Sequence, residues 1–336
     1  LSDLINDAPK FPKEDFKPCP WFTGLAHFGG GSFQSYSKFL AQIRFIMSLN
    51  KISPRRSVLY MPGANARTLE KARELAVDSL IFDLEDAVSP DAKAQARAQI
   101  IAAVNAGGYG KREIIVRVNG LDTAWGKDDI AAIASLPIHG VLLPKVGSVQ
   151  EIAEAADLLD QHGGQALPIW IMAETPKGIL NIAEIASGHP RLTCIVMGTS
   201  DLAKDMRVRH TPDRVGLLVP LSLCILAARA AGVDIVDGVH LLLDDEAGFR
   251  QACVQGRDMG FDGKTLIHPK QIAAANEVFA PNPEEVAHAE KVITAWQQAQ
   301  AEGKGVAVVG GKLVENLHVE EAKRLLALAA AIAERG

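Results

Sequence analysis

A closed barrel of eight parallel strands wrapped in helices, an α/β architecture of the (β/α)8 or TIM type, is the fold this 336-residue chain predicts. Three observations predict it. Eight short apolar, β-branched runs recur between residues 57 and 269; Ala-rich amphipathic stretches separate them; and polar residues stand at the ends of the runs. Apolar strands alternating with helices imply a parallel sheet buried by helices, and eight such units over about 210 residues fit a closed barrel. An open doubly wound sheet competes with it. That fold lacks support because no GxGxxG follows the first run, where the chain reads YMPGAN.

In order, the runs are SVLYMPG (57–63), SLIFDLE (79–85), EIIVRVN (113–119), GVLLPK (140–145), PIWIMAE (168–174), LTCIVMG (192–198), DIVDG (234–238) and GKTLIHP (263–269). Each is too short for a helix and is closed by Pro, Gly or a polar residue. The intervening stretches, such as ARTLEKARELA and VQEIAEAADLLDQ, carry helix-forming residues with apolar positions at helical spacing. Beyond His268, the segment 281–305 reads as an amphipathic helix, GKGVAVVGG as a short hairpin or hinge, and EEAKRLLALAAAIAE as a last helix begun by His318 and Glu320. The expected organisation is therefore a barrel over 51–275 and a C-terminal extension with a lid segment over 276–336. Residues 1–50, rich in Gly, Pro and aromatics without a period, form an N-terminal extension of uncertain status; an internal start at Met47 and a genuine extension both account for them.

Composition narrows the function classes. Apolar residues make up 48% and charged residues 22%, with net charge −5. That balance suits a sizeable core and gives no bulk attraction to nucleic acid, nor is there a basic face interleaved with aromatics. No run reaches transmembrane length, and the opening residues, with acids and prolines where an apolar region belongs, do not read as a signal peptide. Cys19, Cys194, Cys224 and Cys253 form no CxxC pair, which fits free thiols in a reducing compartment. A cytoplasmic location follows as the expectation, with neither nucleic acid nor membrane as partner.

In such a barrel the loops following the strands share one face, which holds the chemistry. The polar residues there are Asp83, Glu85, Asp86, Arg117, Asn119, Lys145, Glu174, Asp201, Asp237 and His268. Glu174 and Asp201 each follow an apolar run, where an unpaired carboxylate is costly. A hard divalent cation shared by the two, with waters and substrate completing its shell, resolves that cost. The bland alternative is helix capping, by Glu174 before Pro176 and by Asp201 before Leu202. Alternation puts Asp83 and Glu85 on one side of their strand and Asp86 in the turn. Arg117 on a buried strand requires an anionic partner, either a substrate carboxylate held by its fork or a neighbouring acid. His268, without HxH or HxxxH company, reads as structural. SPRR (53–56) is either a phosphate contact or a solvated charge run.

Taken together, RSVLYMPG, FDLEDAV, VRVNG, LLPKV, AETPKGILNIAEI, MGTSDLA and GFDGKTLIHPKQI resemble, in order, the CitE-like CoA-ester lyases of the HpcH/HpaI aldolase superfamily. The resemblance covers residues 55–335. It implies a TIM barrel with Mg2+ (Mn2+ as the alternative) on Glu174 and Asp201. It also implies Arg117 on the oxo-acid carboxylate, and Tyr60 and Arg67 in the segment that meets substrate and CoA. The implied reaction is cleavage of malyl-CoA or citramalyl-CoA to acetyl-CoA plus glyoxylate or pyruvate, and the reverse condensation; a citrate lyase β subunit is a further possibility. A homotrimer or dimer of trimers is implied, its C-terminal lid reaching the neighbour's site.

One departure from the family pattern matters. Many members carry DGxxxDxP near the C-terminus, with the second Asp as acid/base. This chain has GGKLVENLHVEEA (310–322), with Glu315 in that place. The ENLHV form resembles a subgroup that hydrolyses (3S)-malyl-CoA, with Glu315 or Glu85 as base. A scaffold that binds a CoA ester without turning it over is the competing class, and the intact set Arg117, Glu174 and Asp201 speaks against it.

Overall fold

The structure is a computed structural model that describes residues 52–335. The reading of residues 1–50, and Cys19 with it, lies outside the described residues. All eight expected runs are strands: β1 (Ser57–Pro62), β2 (Ser79–Asp83), β3 (Glu113–Arg117), β4 (Gly140–Leu143), β5 (Ile169–Ala173), β6 (Leu192–Met197), β7 (Asp234–Asp237) and β8 (Gly263–Leu266). Each pairs in parallel with its predecessor, and β1 closes the barrel on β8 through Ser57↔Lys264, Val58↔Thr265 and Leu59↔Leu266. The helices between them are α1 (Ala66–Lys71), α2 (Lys93–Ala106), α3 (Gly126–Ile133), α4 (Val149–Gln161), α5 (Pro176–Leu180), α6 (Ile182–Ser187), α7 (Thr199–Met206), α8 (Leu218–Ala231), α9 (Glu246–Met259) and α10 (Ile272–Val278).

The two-residue strand period divides the side chains into two cores. Leu59, Leu80, Phe82, Ile114, Val116 and Ile171 face outward into the layer under the helices. Val58, Ile81, Ile115, Leu142, Trp170, Met172, Cys194, Val196 and Val236 fill the barrel itself, with Tyr60 against them. Continuing the inward rows by one more step reaches Asp83, Arg117, Glu174 and Gly198. The same alternation that packs the barrel therefore aims these residues at its upper mouth.

Below, Arg55 plugs the floor. Its guanidinium lies 4.7 Å from the Trp170 ring centre and pairs with Glu113 at 2.9 Å and with Asp234. Arg56 pairs with Asp78 at 2.8 Å. SPRR is thus neither a phosphate contact nor a solvated run: burial at the strand entries forces both arginines onto carboxylates. Cys194, Cys224 and Cys253 are buried free thiols.

The C-terminal extension comprises α11 (Pro283–Ala301), an antiparallel hairpin of β9 (Ala307–Val309) and β10 (Lys312–Val314), and α12 (Asn316–Arg335). Asn282 and Glu285 form a capping box at the start of α11, a strong local start signal. The boundary expected at 275 falls inside α10, which packs on β1, β8 and α9 and so belongs to the barrel. Val292, Ala299, Ala307, Val314, Val319 and Ala322 form the extension's own small core. Among the described residues no helix is long and apolar enough to cross a membrane.

Candidate active site

A cleft of ≈ 310 Å³ opens at the barrel mouth, lined by Tyr60, Asp83, Asp86, Arg117, Met172, Glu174, Met197–Asp201, Val239 and Ile267. Beside it lies a larger cleft of ≈ 870 Å³ between the loops after β2, β3 and β4, lined in part by Glu85, Asp86, Lys93, Trp125 and Lys145. Asp86 borders both.

Glu174 is only 2% exposed. Its Oε1 accepts the Lys145 backbone N–H at 2.8 Å, and among the described residues no donor reaches Oε2. Burial pushes its carboxyl up to about 7, with the Lys145 N–H and the Arg117 charge opposing. Neighbouring β6 must leave room for it: a Cβ on Gly198 would lie 2.3 Å from Glu174 Cβ and 2.4 Å from Oε2. Asp201 sits half-buried in the first turn of α7, and among the described residues no cation or donor engages its carboxylate.

Neither acid caps a helix. Thr175 caps α5, accepting from Gly178 N at 3.0 Å, and α7 begins at Thr199, two residues before Asp201. What remains is a pair of carboxylates lining one cleft, neither in an ion pair with a side chain among the described residues. No group of three or more His, Cys, Asp and Glu gathers as a cage among the described residues. Two carboxylates with room for waters and a substrate is the donor set that suits a small hard cation such as Mg2+, and a desolvated carboxylate lacking a partner on one oxygen fits that group.

Arg117 is buried and held firmly. Its Nε and Nη2 donate to Asp83 at 2.7 and 2.6 Å, while Nη1 reaches Glu85 at 2.9 Å and Asp86 at 3.4 Å. Asp83, 1% exposed, also accepts the backbone N–H groups of Glu85 and Ala87. The fork that the sequence suited to a substrate carboxylate is therefore taken by a neighbouring acid, because Asp83 stands opposite Arg117 on the adjoining strand, and Nη1 is shared between Glu85 and Asp86. The Tyr60 ring lies 5.0 Å from the guanidinium, and its hydroxyl donates to Met172 Sδ at 3.4 Å. Burial raises the Tyr60 phenol well above its ordinary range.

Glu85 pairs with Arg117 and with the Lys145 ammonium. Burial lifts its carboxyl above the usual range, with Arg117 opposing. The turn carrying it is gripped from beneath by Lys93, whose Nζ donates to the carbonyls of Leu84 and Glu85 at 2.8 and 2.7 Å. Nothing in the sequence pattern singles out Lys93 from the other lysines of helical segments. Lys145 appears in the sequence as a polar strand end; its left-handed backbone, φ 52°, does not.

Other strand-end residues serve the scaffold. Asn119 bonds Leu84 O and Asp129, Asp237 is enclosed by Lys264 and Arg214, and His268 caps a short turn by accepting from Lys270 N. Arg67 is exposed on α1, lines neither cleft and makes no ion pair among the described residues. Glu315 is exposed just before α12 and also lines neither cleft. Helix α12 is fastened to strand entries on the far face, Arg324 to Asp262 at 3.0 Å and Arg335 to Asp78 O at 2.7 Å. Twenty helical residues span about 30 Å, so Glu315 stands well away from this chain's own floor contact at Arg335.

Comparison with known proteins follows the same lines. A (3S)-malyl-CoA thioesterase from Cereibacter sphaeroides is 53% identical over 283 residues, 84% of this chain and 97% of that protein. A citrate lyase subunit beta from Leuconostoc mesenteroides subsp. cremoris is 36% identical over 287 residues, 84% of this chain and 95% of that protein. Among solved structures, CitE from Mycobacterium tuberculosis, in complex with magnesium, acetoacetate and coenzyme A, aligns with TM-score 0.67 and 27% identity over 82% of this chain and 97% of that one. Residues 56–269 match the model of the HpcH/HpaI aldolase/citrate lyase family. The chain is an enzyme of that family, a (β/α)8 barrel of the group that contains CoA-ester lyases and thioesterases.

Proposed function

We propose that this protein hydrolyses (3S)-malyl-CoA to malate and CoA with Mg2+ held by Glu174 and Asp201. The observation that carries the reading is the 53% identity, across 97% of its length, to a protein named (3S)-malyl-CoA thioesterase. Carbon–carbon cleavage of malyl-CoA or citramalyl-CoA, which the motifs put first, is the second reading. The 36% identity to a citrate lyase subunit beta supports that chemistry at greater distance.

Bound at these carboxylates, Mg2+ supplies a Lewis acid for a substrate oxygen. The protein's part is positioning and proton handling. Arg117 Nη1 swings from Glu85 and Asp86 to the substrate's free carboxylate, a charge-assisted bond in a dry cleft, while Asp83 keeps the guanidinium in place. Tyr60 and Met172 wall the cleft. In hydrolysis, water oxygen bonds to the thioester carbon and a carboxylate takes its proton. The C–S bond then breaks, a proton reaches sulfur, and the new malate carboxyl ionises to solvent. Glu85 is the base available within the chain, and burial has already raised its affinity for a proton. CoA enters past Tyr60 and Arg67, the segment that the family resemblance assigns to substrate and CoA.

Incubation with (3S)-malyl-CoA and Mg2+ tests the choice. Malate and free thiol without glyoxylate are expected. Acetyl-CoA plus glyoxylate without free thiol overturns hydrolysis in favour of cleavage, and no turnover overturns both.

Glu315 enters from a second copy in this reading, as the lid acid that protonates the departing sulfur while Glu85 takes the proton from water, the two carboxyl groups re-equilibrating with solvent between turnovers. Exposed Val306, Val308, Leu313 and Leu317 flank it, an apolar surface suited to packing on a neighbour. Glu315→Gln and Glu174→Gln homo-oligomers are each expected to be nearly inactive. Refolded together, they are expected to regain about a quarter of wild-type activity, because some sites then combine intact halves. Absence of any recovery in mixtures that demonstrably form hetero-oligomers would remove the shared site.

A further inference from the structure

Lys145 touches both halves of the site, and its two contacts come from different parts of the residue. Its main-chain N–H donates to Glu174 Oε1 at 2.8 Å. Its ammonium pairs with Glu85 and lies 3.9 Å from Asp86. The backbone there has φ 52°, a left-handed conformation that glycine adopts freely and a side chain with a Cβ resists. Of the other two described non-glycine residues with positive φ, Arg207 is the C-cap of α7, an ordinary place for that conformation, and Arg214, in the loop before α8, uses its guanidinium on buried Asp237. Lys145 ends no helix; it follows β4 by two residues, in the short turn before α4. A glycine here would keep the turn at lower conformational cost, so a lysine in this position indicates that the ammonium has work of its own.

We infer that Lys145 is a dual positioning residue: its left-handed main chain orients Glu174 for the cation, and its ammonium holds Glu85 in place for proton transfer. The turn matters because, among the described residues, Glu174 has a single protein donor; fixing Oε1 leaves Oε2 to face the cleft. Groups that hydrogen-bond a metal-ligating carboxylate typically account for 10–100-fold in metal affinity or activity. The ammonium matters because the other cation on Glu85, Arg117 Nη1, is the donor that turns to the substrate in the reading above, which leaves Lys145 to hold Glu85 from the side of the larger cleft.

The inference rests on the metal and malyl-CoA readings above, and two separate measurements keep their failures apart. The first is Mg2+ affinity by calorimetric titration without substrate; the second is kcat and KM with (3S)-malyl-CoA. Lys145→Gly permits φ 52° and lacks the ammonium, so its Mg2+ Kd is expected within about twofold of wild type while kcat falls about 10–100-fold at similar KM. Lys145→Val resists the conformation through its branched Cβ and is expected to weaken Mg2+ binding about tenfold or more; Lys145→Ala replaces it should Val not fold. Lys145→Arg, which restores a cation on the same backbone, is expected to recover part of kcat. Equal loss of Mg2+ affinity in the Gly and Val variants overturns the main-chain role. Full kcat in Lys145→Gly overturns the ammonium's role. A wild-type protein that binds Mg2+ but leaves malyl-CoA intact defeats the substrate reading alone, and one that binds no Mg2+ defeats the metal reading itself.

Discussion

Glu174→Gln is expected to abolish Mg2+ binding and to lower Mg2+-dependent kcat by well over about 10²-fold, more than loss of a ligand's hydrogen-bonding neighbour costs. The amide keeps the shape and the acceptor for Lys145 N–H but cannot ionise. That difference also predicts a pH signature. In the metal-free fold the carboxyl of Glu174 is raised to about 7 by burial, above the ordinary carboxylate value it has when unfolded. Between those values the folded state binds more protons than the unfolded state, so stability from this group is complete at low pH and is lost as pH rises through about 7. The loss amounts to about 3 kcal/mol. Metal-free wild type should therefore melt lower at pH 8 than at pH 5.5 relative to Glu174→Gln, and Mg2+ should restore wild type only. Mg2+ affinity should weaken below pH about 7, where the proton competes for the carboxylate. Thermal melts at both pH values, with and without Mg2+, check this. A variant that still binds Mg2+ as tightly as wild type would remove Glu174 from the metal site.

Arg117→Met is expected to damage stability and turnover together, and a second substitution separates the two. Removing the guanidinium strands the carboxylate of Asp83, which is 1% exposed, with only backbone N–H donors. Breaking a buried ion pair from one side costs about 3–5 kcal/mol. Turnover is expected to fall more than about 100-fold, since the substrate carboxylate loses its charged partner. In Arg117→Met/Asp83→Leu both charges are gone, and much of the stability should return, because apolar replacement of a whole buried pair is often close to neutral. Activity should not return with it. Denaturant unfolding alongside steady-state kinetics reads both effects. Wild-type turnover in either variant would show that Arg117 serves only the barrel mouth.

The strands, their order and the inward aim of Asp83, Arg117 and Glu174 were legible from residue order because each follows from a local rule. A two-residue period and an apolar run closed by a polar residue need no knowledge of distant neighbours. Glu174 and Asp201 as a pair, and the hairpin before Glu315, belong to the same class of inference. The order of family motifs added what periodicity cannot carry, the chemical class of the substrate.

Only the tertiary structure decided how the charges are shared. The sequence favours a substrate carboxylate for the Arg117 fork over a neighbouring acid, and the register of β2 against β3, with Asp83 opposite Arg117, commits the fork to Asp83 instead. Arg55 and Arg56 looked solvent-bound or phosphate-bound until the closed floor brought Glu113, Asp234 and Asp78 beneath them. Lys93, Lys145 and Gly198 act through a carbonyl grip, a left-handed turn and a missing Cβ. None of these leaves a mark in composition or spacing. Residue order specifies which groups are charged and which face they take; partner choice depends on through-space distance and burial, which exist only once the barrel has closed.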